Sequence, residues 1–211
     1  AIGDESMSGW RIEYELIDKK LNPKQLTNRT ANFRQAKWVR GEVVERDILF
    51  FGIERTVPAG EKTRYKQLMR STYVHKPPLE SIDPEVAKQV EHILGKSVSD
   101  YQVTKYGFDD AFLVGKSDVN KFSEFHFGAG ESSIIRMVTK IEQAPANSLI
   151  LIEEIENGLH PIATRRLVEY LIDVASRKSV QAIFTTHSDY ALSPLPNEGI
   201  WASISGKLRQ G

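Results

Sequence analysis

The stretch "NSLILIEEIENGLHP", residues 147–161, constrains the fold more strongly than any other part of the sequence. Four aliphatic residues, Leu149–Ile152, run directly into two adjacent carboxylates, Glu153 and Glu154. A short apolar run of this kind is typical of a strand buried inside a sheet, and burying each aliphatic side chain contributes about 1.5–3 kcal/mol. The two acids therefore stand at the tip of a firmly held strand. Because successive residues of an extended chain point to opposite sides, each acid is expected to have its own partner.

A second buried strand is predicted in "SVQAIFTTHS" and is expected to end at Thr186 and His187. Between the two strands, Pro161 opens a helix whose apolar residues recur at helical spacing. Strands that alternate with helices predict a parallel sheet with crossover helices. Ligands of such sheets gather outside the carboxyl ends of the strands, so the acids and His187 are expected to share one crevice.

Local signals predict the elements that precede this region. Period-2 alternation in "WRIEYELI" indicates a strand, and the stretch from residue 37 to residue 60 is β-rich. A helix is marked by Asp83 as its N-cap, Pro84 at its first position and Gly95 as its stop. A further helix is expected from about Glu131.

These elements predict an α/β fold, with a mostly parallel sheet flanked by helices and a β-rich region before it. "YQVTKYG" and "AFLVG" are expected to form a pair of short strands, and "GIWASISGKLRQG" a hairpin. We expect residues 1–121 to form a β-rich and helical lobe and residues 122–211 to form the core.

The composition excludes several kinds of partner and site but does not identify one. Lysine plus arginine equal aspartate plus glutamate, 28 against 28, so bulk charge indicates no nucleic-acid or membrane partner. The chain has no cysteine, which excludes disulfides and thiolate metal sites. No apolar run approaches the roughly 20 residues of a membrane span and no signal peptide is recognisable, so a cytoplasmic location is expected. The basic segment Lys62–Lys76 favours a solvated helix face over a DNA contact.

The tripeptide Gly-Lys-Ser occurs twice, at residues 95–97 and 115–117, and suggests a phosphate-binding Walker A loop. That loop requires another glycine five positions before its second glycine, between a strand and a helix. Val90 and Asp110 occupy those positions. Both copies are therefore predicted to be structural turns, and the sequence contains no Walker A motif.

The last third of the chain contains two features that could act on a phosphate-bearing ligand, a helix that starts after glycines and a pair of acids. In "FHFGAGESS", glycines lead into a helix, where free N–H groups and the helix dipole favour an anion. Of the two acids that follow, one can hold Mg²⁺ together with substrate phosphates. The other can orient or deprotonate an attacking water.

The order of these features resembles the C-terminal half of an ABC-type ATPase, most closely the SMC and RecF-like branch. That branch includes the ATPases of the OLD (overcoming lysogenisation defect) nuclease family and related phage-defence systems. The resemblance covers residues 122–190 well. It implies that Glu153 is the Mg²⁺-associated acid of the Walker B strand, that Glu154 is the catalytic glutamate, and that His187 is the switch histidine sensing the γ-phosphate.

The resemblance also assigns the residues that would meet a second ATPase subunit. "FGAGE" stands at the position of the signature motif, which closes on ATP held by the partner, and "ENGLHP" at the position of the D-loop. The implied nucleotide-binding residues are Gly128, Ala129, Gly130, Glu131, Ser132, Asn157 and Gly158, and His160 would face the dimer interface. The sequence departs from the family's motifs at two positions. Gly128 stands at the position of the signature serine, with Ser132 or Ser133 as candidate replacements. Glu153 stands where the family usually has an aspartate.

An ATPase of this class implies ATP and Mg²⁺ as ligands and a homodimer or a dimer with a partner ATPase. Nucleotide-driven dimerisation would control a partner activity in DNA processing or phage defence, with DNA or a nuclease as partner and no membrane. The Walker A segment lies upstream in this family, so we expect the chain to be a fragment that binds ATP poorly alone.

Two other classes of function stay open at this point. A metal-dependent nuclease could use Glu153, Glu154, Glu156 and His160, although the nearest second acidic pair, at residues 109–110, precedes a strand. A degenerate ATPase fold could serve only for dimerisation or docking. An ABC transporter ATPase fits less well, since its D-loop usually contains serine, alanine and aspartate.

Overall fold

A computed structural model of the chain describes residues 9–17, 24–35, 37–41, 46–62, 78–106, 110–116, 121–205 and 207–211. The chain divides into two compact units, Ala1–Arg46 and Asp47–Gly211. Val43 and Val44 of the predicted β-rich stretch, and most of the basic segment Lys62–Lys76, lie outside the described residues. The predicted lobe boundary at residues 121 and 122 stays a prediction.

The first unit is an antiparallel sheet of three strands, β1 (Arg11–Ile17), β2 (Leu26–Arg34) and β3 (Lys37–Arg40), in the order β1-β2-β3. Phe33 and Trp38 face each other across β2 and β3, with ring centroids 5.3 Å apart in an edge-to-face arrangement. Cross-strand aromatic pairs of this kind stabilise a sheet. The strand predicted from "WRIEYELI" is confirmed as β1.

The second unit contains three sheets and four helices among the described residues. In chain order its elements are β4 (Ile48–Phe51), β5 (Glu80–Ser81), α1 (Pro84–Leu94), β6 (Tyr101–Tyr106), β7 (Asp110–Lys116), β8 (Lys121–Ser123), α2 (Ala129–Gln143), β9 (Leu149–Ile152), α3 (Pro161–Lys178), β10 (Gln181–Phe184), α4 (Asp189–Leu192), β11 (Trp201–Ile204) and β12 (Lys207–Gln210). Strands β11 and β12 form the predicted hairpin.

The central sheet is parallel, with the strand order β10-β9-β4. One of its faces packs into the core through Phe51, Ile150 and Ile152, which are all buried. Helices α1, α2 and α3 supply the other side of this core, where Val90, Ile93, Ile134, Val138, Leu167 and Leu171 are buried. The predicted α/β class, with a parallel sheet flanked by helices, is confirmed.

Helix α1 has the ends that its sequence predicts. The Asp83 side chain accepts a hydrogen bond from the Glu85 N–H (2.9 Å), which satisfies an amide at the helix start. Gly95 adopts a left-handed conformation with φ of 70° and closes the helix through a bond from its N–H to the Glu91 carbonyl (2.8 Å). The first Gly-Lys-Ser copy is therefore a helix-ending turn, as predicted.

The second Gly-Lys-Ser copy differs from its prediction. Gly115 and Lys116 lie inside β7, in an antiparallel sheet of order β5-β6-β7-β8, while Ser117 is outside the described residues. A side chain on Gly115 would overlap the ring of Phe122, its partner on β8. Gly115 is thus needed because the Phe122 ring occupies the space of a side chain at this position, and not because the chain turns there. Local sequence does not reveal such a contact between neighbouring strands.

The helix expected from about Glu131 begins earlier, at Ala129, and Gly128 is its N-cap. The sequence predicts a glycine-rich turn at residues 128–130, but Ala129 and Gly130 are already helical. Among the described helices, none combines the length and the apolarity needed to cross a membrane.

Candidate functional site

The carboxyl ends of β9 and β10 lie side by side. Residues Ile152 and Phe184 are register partners at the two strand ends. Beyond them the pairing continues, because the Thr185 N–H donates to the Ile152 carbonyl and the Ile155 N–H donates to the Thr185 carbonyl, each at 3.0 Å. The acids after β9 and the histidine after β10 therefore leave the sheet at the same edge.

Glu153 and Glu154 are both exposed, and they have different neighbours, as alternation along the strand predicts. The Glu153 carboxylate lies beside β4, where its Oε2 accepts a long hydrogen bond from the Ile53 N–H (3.4 Å). The Glu154 N–H instead donates to Thr185 Oγ1 (2.9 Å) on the β10 side. Glu154 also has a φ of 43°, a left-handed conformation that is uncommon for a residue with a side chain.

Glu156 ties the acidic loop to the histidine. Its Oε1 accepts a hydrogen bond from the His187 N–H (2.7 Å), and its Oε2 accepts one from Thr186 Oγ1 (2.6 Å). Burial raises the pKa of Glu156, but the hydrogen bonds from Thr186 and His187 outweigh it, so the pKa lies below its usual value. Glu156 is therefore ionised at neutral pH and holds the main chain of His187. Sequence reasoning considered Glu156 only as a nuclease ligand and missed this contact.

The predicted D-loop follows as two tight turns. The Asn157 N–H donates to the Glu154 carbonyl (2.8 Å) and the Leu159 N–H donates to the Glu156 carbonyl (2.9 Å). Gly158 has a φ of 75°, which favours glycine. His160 is exposed and caps α3, since its Nδ1 accepts a hydrogen bond from the Ile162 N–H (3.3 Å).

The predicted signature turn packs directly on this loop. A Cβ on Gly130 would lie 2.9 Å from the carbonyl carbon of Gly158 and closer still to its oxygen, so only glycine permits the observed approach. Gly128 is exposed, with no other atoms near the position of its missing side chain. The start of α2 and the D-loop thus form one surface within a single chain.

Of the implied nucleotide-binding side chains of the signature region, Glu131 is paired within the chain and Ser132 is buried. The Glu131 carboxylate pairs with Lys96 Nζ (2.7 Å) and accepts a hydrogen bond from the Tyr101 hydroxyl. Ser132 is buried at 6% exposure, and Ser133 is buried beside it, so neither lies on the exposed surface that carries Gly128. Their proposed role as replacements for the signature serine stays a prediction, and it would need a rearrangement of α2.

Arg55 is a site residue that the sequence did not reveal. It lies in a short 3-10 turn, Ile53–Thr56, directly after β4. Its guanidinium reaches the main-chain carbonyls of both Glu153 and Glu154, each at 2.7 Å. No local pattern marks this residue, because the contact joins positions 98 and 99 residues apart in the sequence.

The side chains at this edge of the sheet could hold a metal ion only if a substrate supplied further ligands. Among the described residues, no three histidine, aspartate or glutamate side chains come together as metal ligands. Glu153 presents an exposed carboxylate with one weakly engaged oxygen. Mg²⁺ is commonly held by one or two carboxylates with substrate phosphates and waters completing its shell, and the exposed Glu153 fits that mode.

Comparison with known proteins gives a family match and several solved structures of similar fold. Residues 43–193 match the family described as "AAA domain, putative AbiEii toxin, Type IV TA system". The chain is similar in structure to the SMC head domain from Thermotoga maritima, with a TM-score of 0.48 and 8% identity over 94% of this chain and 72% of that one. No curated protein sequence matches the chain.

The family match spans β4, the glycine turn before α2, both acids after β9, and His187. It covers more than half of the chain. An ATPase domain, as predicted from the order of the motifs, is thereby confirmed. The SMC and RecF-like branch, and the position of the chain in the C-terminal half of such a domain, stay predictions. The chain therefore belongs to this AAA domain family, a class of nucleotide-hydrolysing P-loop ATPases.

Proposed function

We propose that the exposed edge formed by Glu153, Glu154 and His187 is the hydrolytic half of an ATP site. The observation that carries this proposal is the parallel, in-register pairing of β9 and β10, which brings the tips of both strands to one edge. The arrangement suits phosphoryl transfer, in which catalysis consists mostly of positioning a nucleophile and stabilising charge.

Each residue has a distinct task in this proposal. Glu154 accepts a proton from the attacking water, a role that a carboxylate can fill when it is fixed close to the nucleophile. His187 donates a hydrogen bond to the γ-phosphate, and Glu156 keeps its main chain in place. Glu153 holds Mg²⁺, which neutralises charge on the phosphates when it is bound.

A Walker A element from outside these 211 residues is proposed to complete the site. On the face of the parallel sheet opposite the core, Ile48, Phe50 and Ile183 are more than half exposed. Strand β10 has no strand beyond it among the described residues. Parallel sheets are usually covered on both faces, and an open apolar face with an open strand edge is suited to receive a further strand and helix.

Dimerisation is proposed to use the joint surface of the signature turn and the D-loop. Gly128 is exposed at the N-terminus of α2, and Gly158 packs behind it on Gly130. A second ATPase subunit, identical or related, would place its ATP against this helix end. The cycle would control a partner activity, and the resemblance of the motifs points to an enzyme that acts on DNA.

Titration calorimetry with Mg-ATP tests the proposal. We expect the 211-residue chain alone to bind ATP more weakly than about 1 mM, and a version that also carries the Walker A residues to bind at about 1–100 µM, within the usual range of KM values. Micromolar binding by the 211 residues alone would show that the loop is not needed. No binding by the longer version would contradict the ATPase assignment.

A further inference from the structure

Arg55 makes an unusual set of contacts for an arginine among glutamates. Its Nη1 donates to the carbonyls of Gly52 (2.9 Å) and Glu153 (2.7 Å), and its Nη2 donates to the carbonyl of Glu154 (2.7 Å). All three acceptors are main-chain oxygens, although several carboxylates lie nearby. The guanidinium therefore fastens the end of β4 to the two residues that follow β9.

The residue most constrained by this arrangement is Glu154. Its left-handed conformation is unfavourable for a residue with a side chain and persists only where the surroundings enforce it. The Glu154 N–H is held by Thr185 Oγ1, and its carbonyl is held by Arg55 and by the Asn157 N–H. Both polar main-chain groups of the residue are thus fixed, one from the β10 side and the other from the β4 side of β9, which sets the direction in which the side chain leaves the backbone.

The short turn that carries Arg55 is itself well fixed. Thr56 Oγ1 donates to the Ile53 carbonyl (2.8 Å), and the Val57 N–H donates to the Glu54 carbonyl (3.1 Å). Strand β4 pairs with β9, so the turn after β4 lies next to the acids after β9. A rigid support is what a positioning contact requires, since a displacement of about 1 Å can cost 100-fold in rate.

Resting on the proposed ATP hydrolysis, we propose that Arg55 is a positioning residue that holds the backbone of Glu154 in its left-handed conformation and so aims the general base at the attacking water. Arg55 does not touch ATP in this role and acts only through Glu154. The planar fork of arginine can serve three fixed carbonyls at once, which the single ammonium of lysine cannot do with the same geometry.

Arg55 keeps its positive charge in these surroundings. Burial lowers the pKa of Arg55, while the carboxylates of Glu54, Glu154, Glu156 and Glu153 act in the opposite direction. An arginine remains protonated at any physiological pH. The contact should therefore persist throughout the pH range in which the enzyme works.

Steady-state ATP hydrolysis by the full-length protein tests the inference. We expect Arg55→Ala to lower kcat about 10- to 100-fold, the cost of a misplaced catalytic group, with the KM for ATP within about twofold of the wild type. Arg165→Ala is the matched control, since Arg165 forms an exposed i,i+4 pair with Glu169 on α3, and it should leave both constants unchanged. A normal kcat for Arg55→Ala would overturn the inference.

Two further variants separate this inference from the proposed function and from misfolding. Loss of turnover in Glu154→Gln but not in Arg55→Ala would contradict the positioning role alone, whereas full turnover in Glu154→Gln would contradict the proposed function. If circular dichroism shows that Arg55→Ala is unfolded, Arg55→Lys decides, because it keeps the charge and most of the side chain. We expect Arg55→Lys to lower kcat at an unchanged KM, and a fully active Arg55→Lys would overturn the requirement for the arginine fork.

Discussion

Replacement of Glu154 by glutamine is expected to lower ATP turnover by the full-length protein about 100-fold or more, the usual contribution of a general base. Glutamine has nearly the same shape but cannot accept the proton of the attacking water. The main-chain contacts of Glu154 to Thr185 and Arg55 do not involve the carboxylate, so the variant should fold normally. Phosphate release under saturating ATP measures the effect.

The same variant is expected to accumulate as an ATP-bound dimer, because nucleotide binding persists while hydrolysis does not. Light scattering with and without Mg-ATP would detect the change in mass. Glu169→Gln is a suitable control, since Glu169 forms an exposed i,i+4 pair with Arg165 on α3. Unchanged turnover in Glu154→Gln would mean that another group activates water and that the assignment of Glu154 is wrong.

Replacement of Gly130 by alanine is expected to destabilise the protein by about 1–3 kcal/mol, the usual cost of overpacking. The added Cβ would meet main-chain atoms of Gly158, and no side-chain rotation can relieve that overlap. For a chain of this length each kcal/mol corresponds to roughly 2–4 °C in Tm. Thermal unfolding of the 211-residue chain measures the effect directly.

Gly128→Ala provides a control on the same turn. Gly128 has a φ of −62°, and no atoms beyond its chain neighbours lie within 4 Å of the position of an added Cβ, so alanine should be tolerated there. Alanine normally stabilises a helix interior by about 1 kcal/mol relative to glycine. A loss of stability in Gly130→Ala would therefore be opposite to the effect that helix propensity predicts. A Gly130→Ala variant as stable as the wild type would contradict the close approach of the signature turn to the D-loop.

Local sequence signals predicted the elements whose ends are determined by near neighbours. Asp83 and Gly95 bound α1 because capping and left-handed glycine depend only on adjacent residues. The short apolar runs predicted β9 and β10, and the rules for parallel sheets predicted that their tips would meet. The details of β10 were wrong, because the strand ends at Phe184 and not at Thr186, and its residues are exposed or half-buried. The relative positions of the two strand ends could be predicted, because parallel strands joined by a crossover helix can be arranged in few ways.

The contacts that hold the acidic loop could not be predicted, because they join distant parts of the chain. Arg55 reaches Glu154 only because β4 pairs with β9, and Glu156 reaches His187 only because β9 pairs with β10. The early start of α2 has a similar cause. Propensity alone disfavours Gly130 in a helix, but its close packing on Gly158 requires a residue without a side chain.

The proposed ATP site requires that one crevice holds Glu154 and His187 around the γ-phosphate of ATP. A crystal structure of the full-length Glu154→Gln protein with Mg-ATP would show this arrangement. We expect the γ-phosphate within hydrogen-bonding distance of His187 and a water between the phosphate and the residue at position 154. A nucleotide bound at another edge of the sheet, or strand tips that open to different sides around it, would exclude the proposed site.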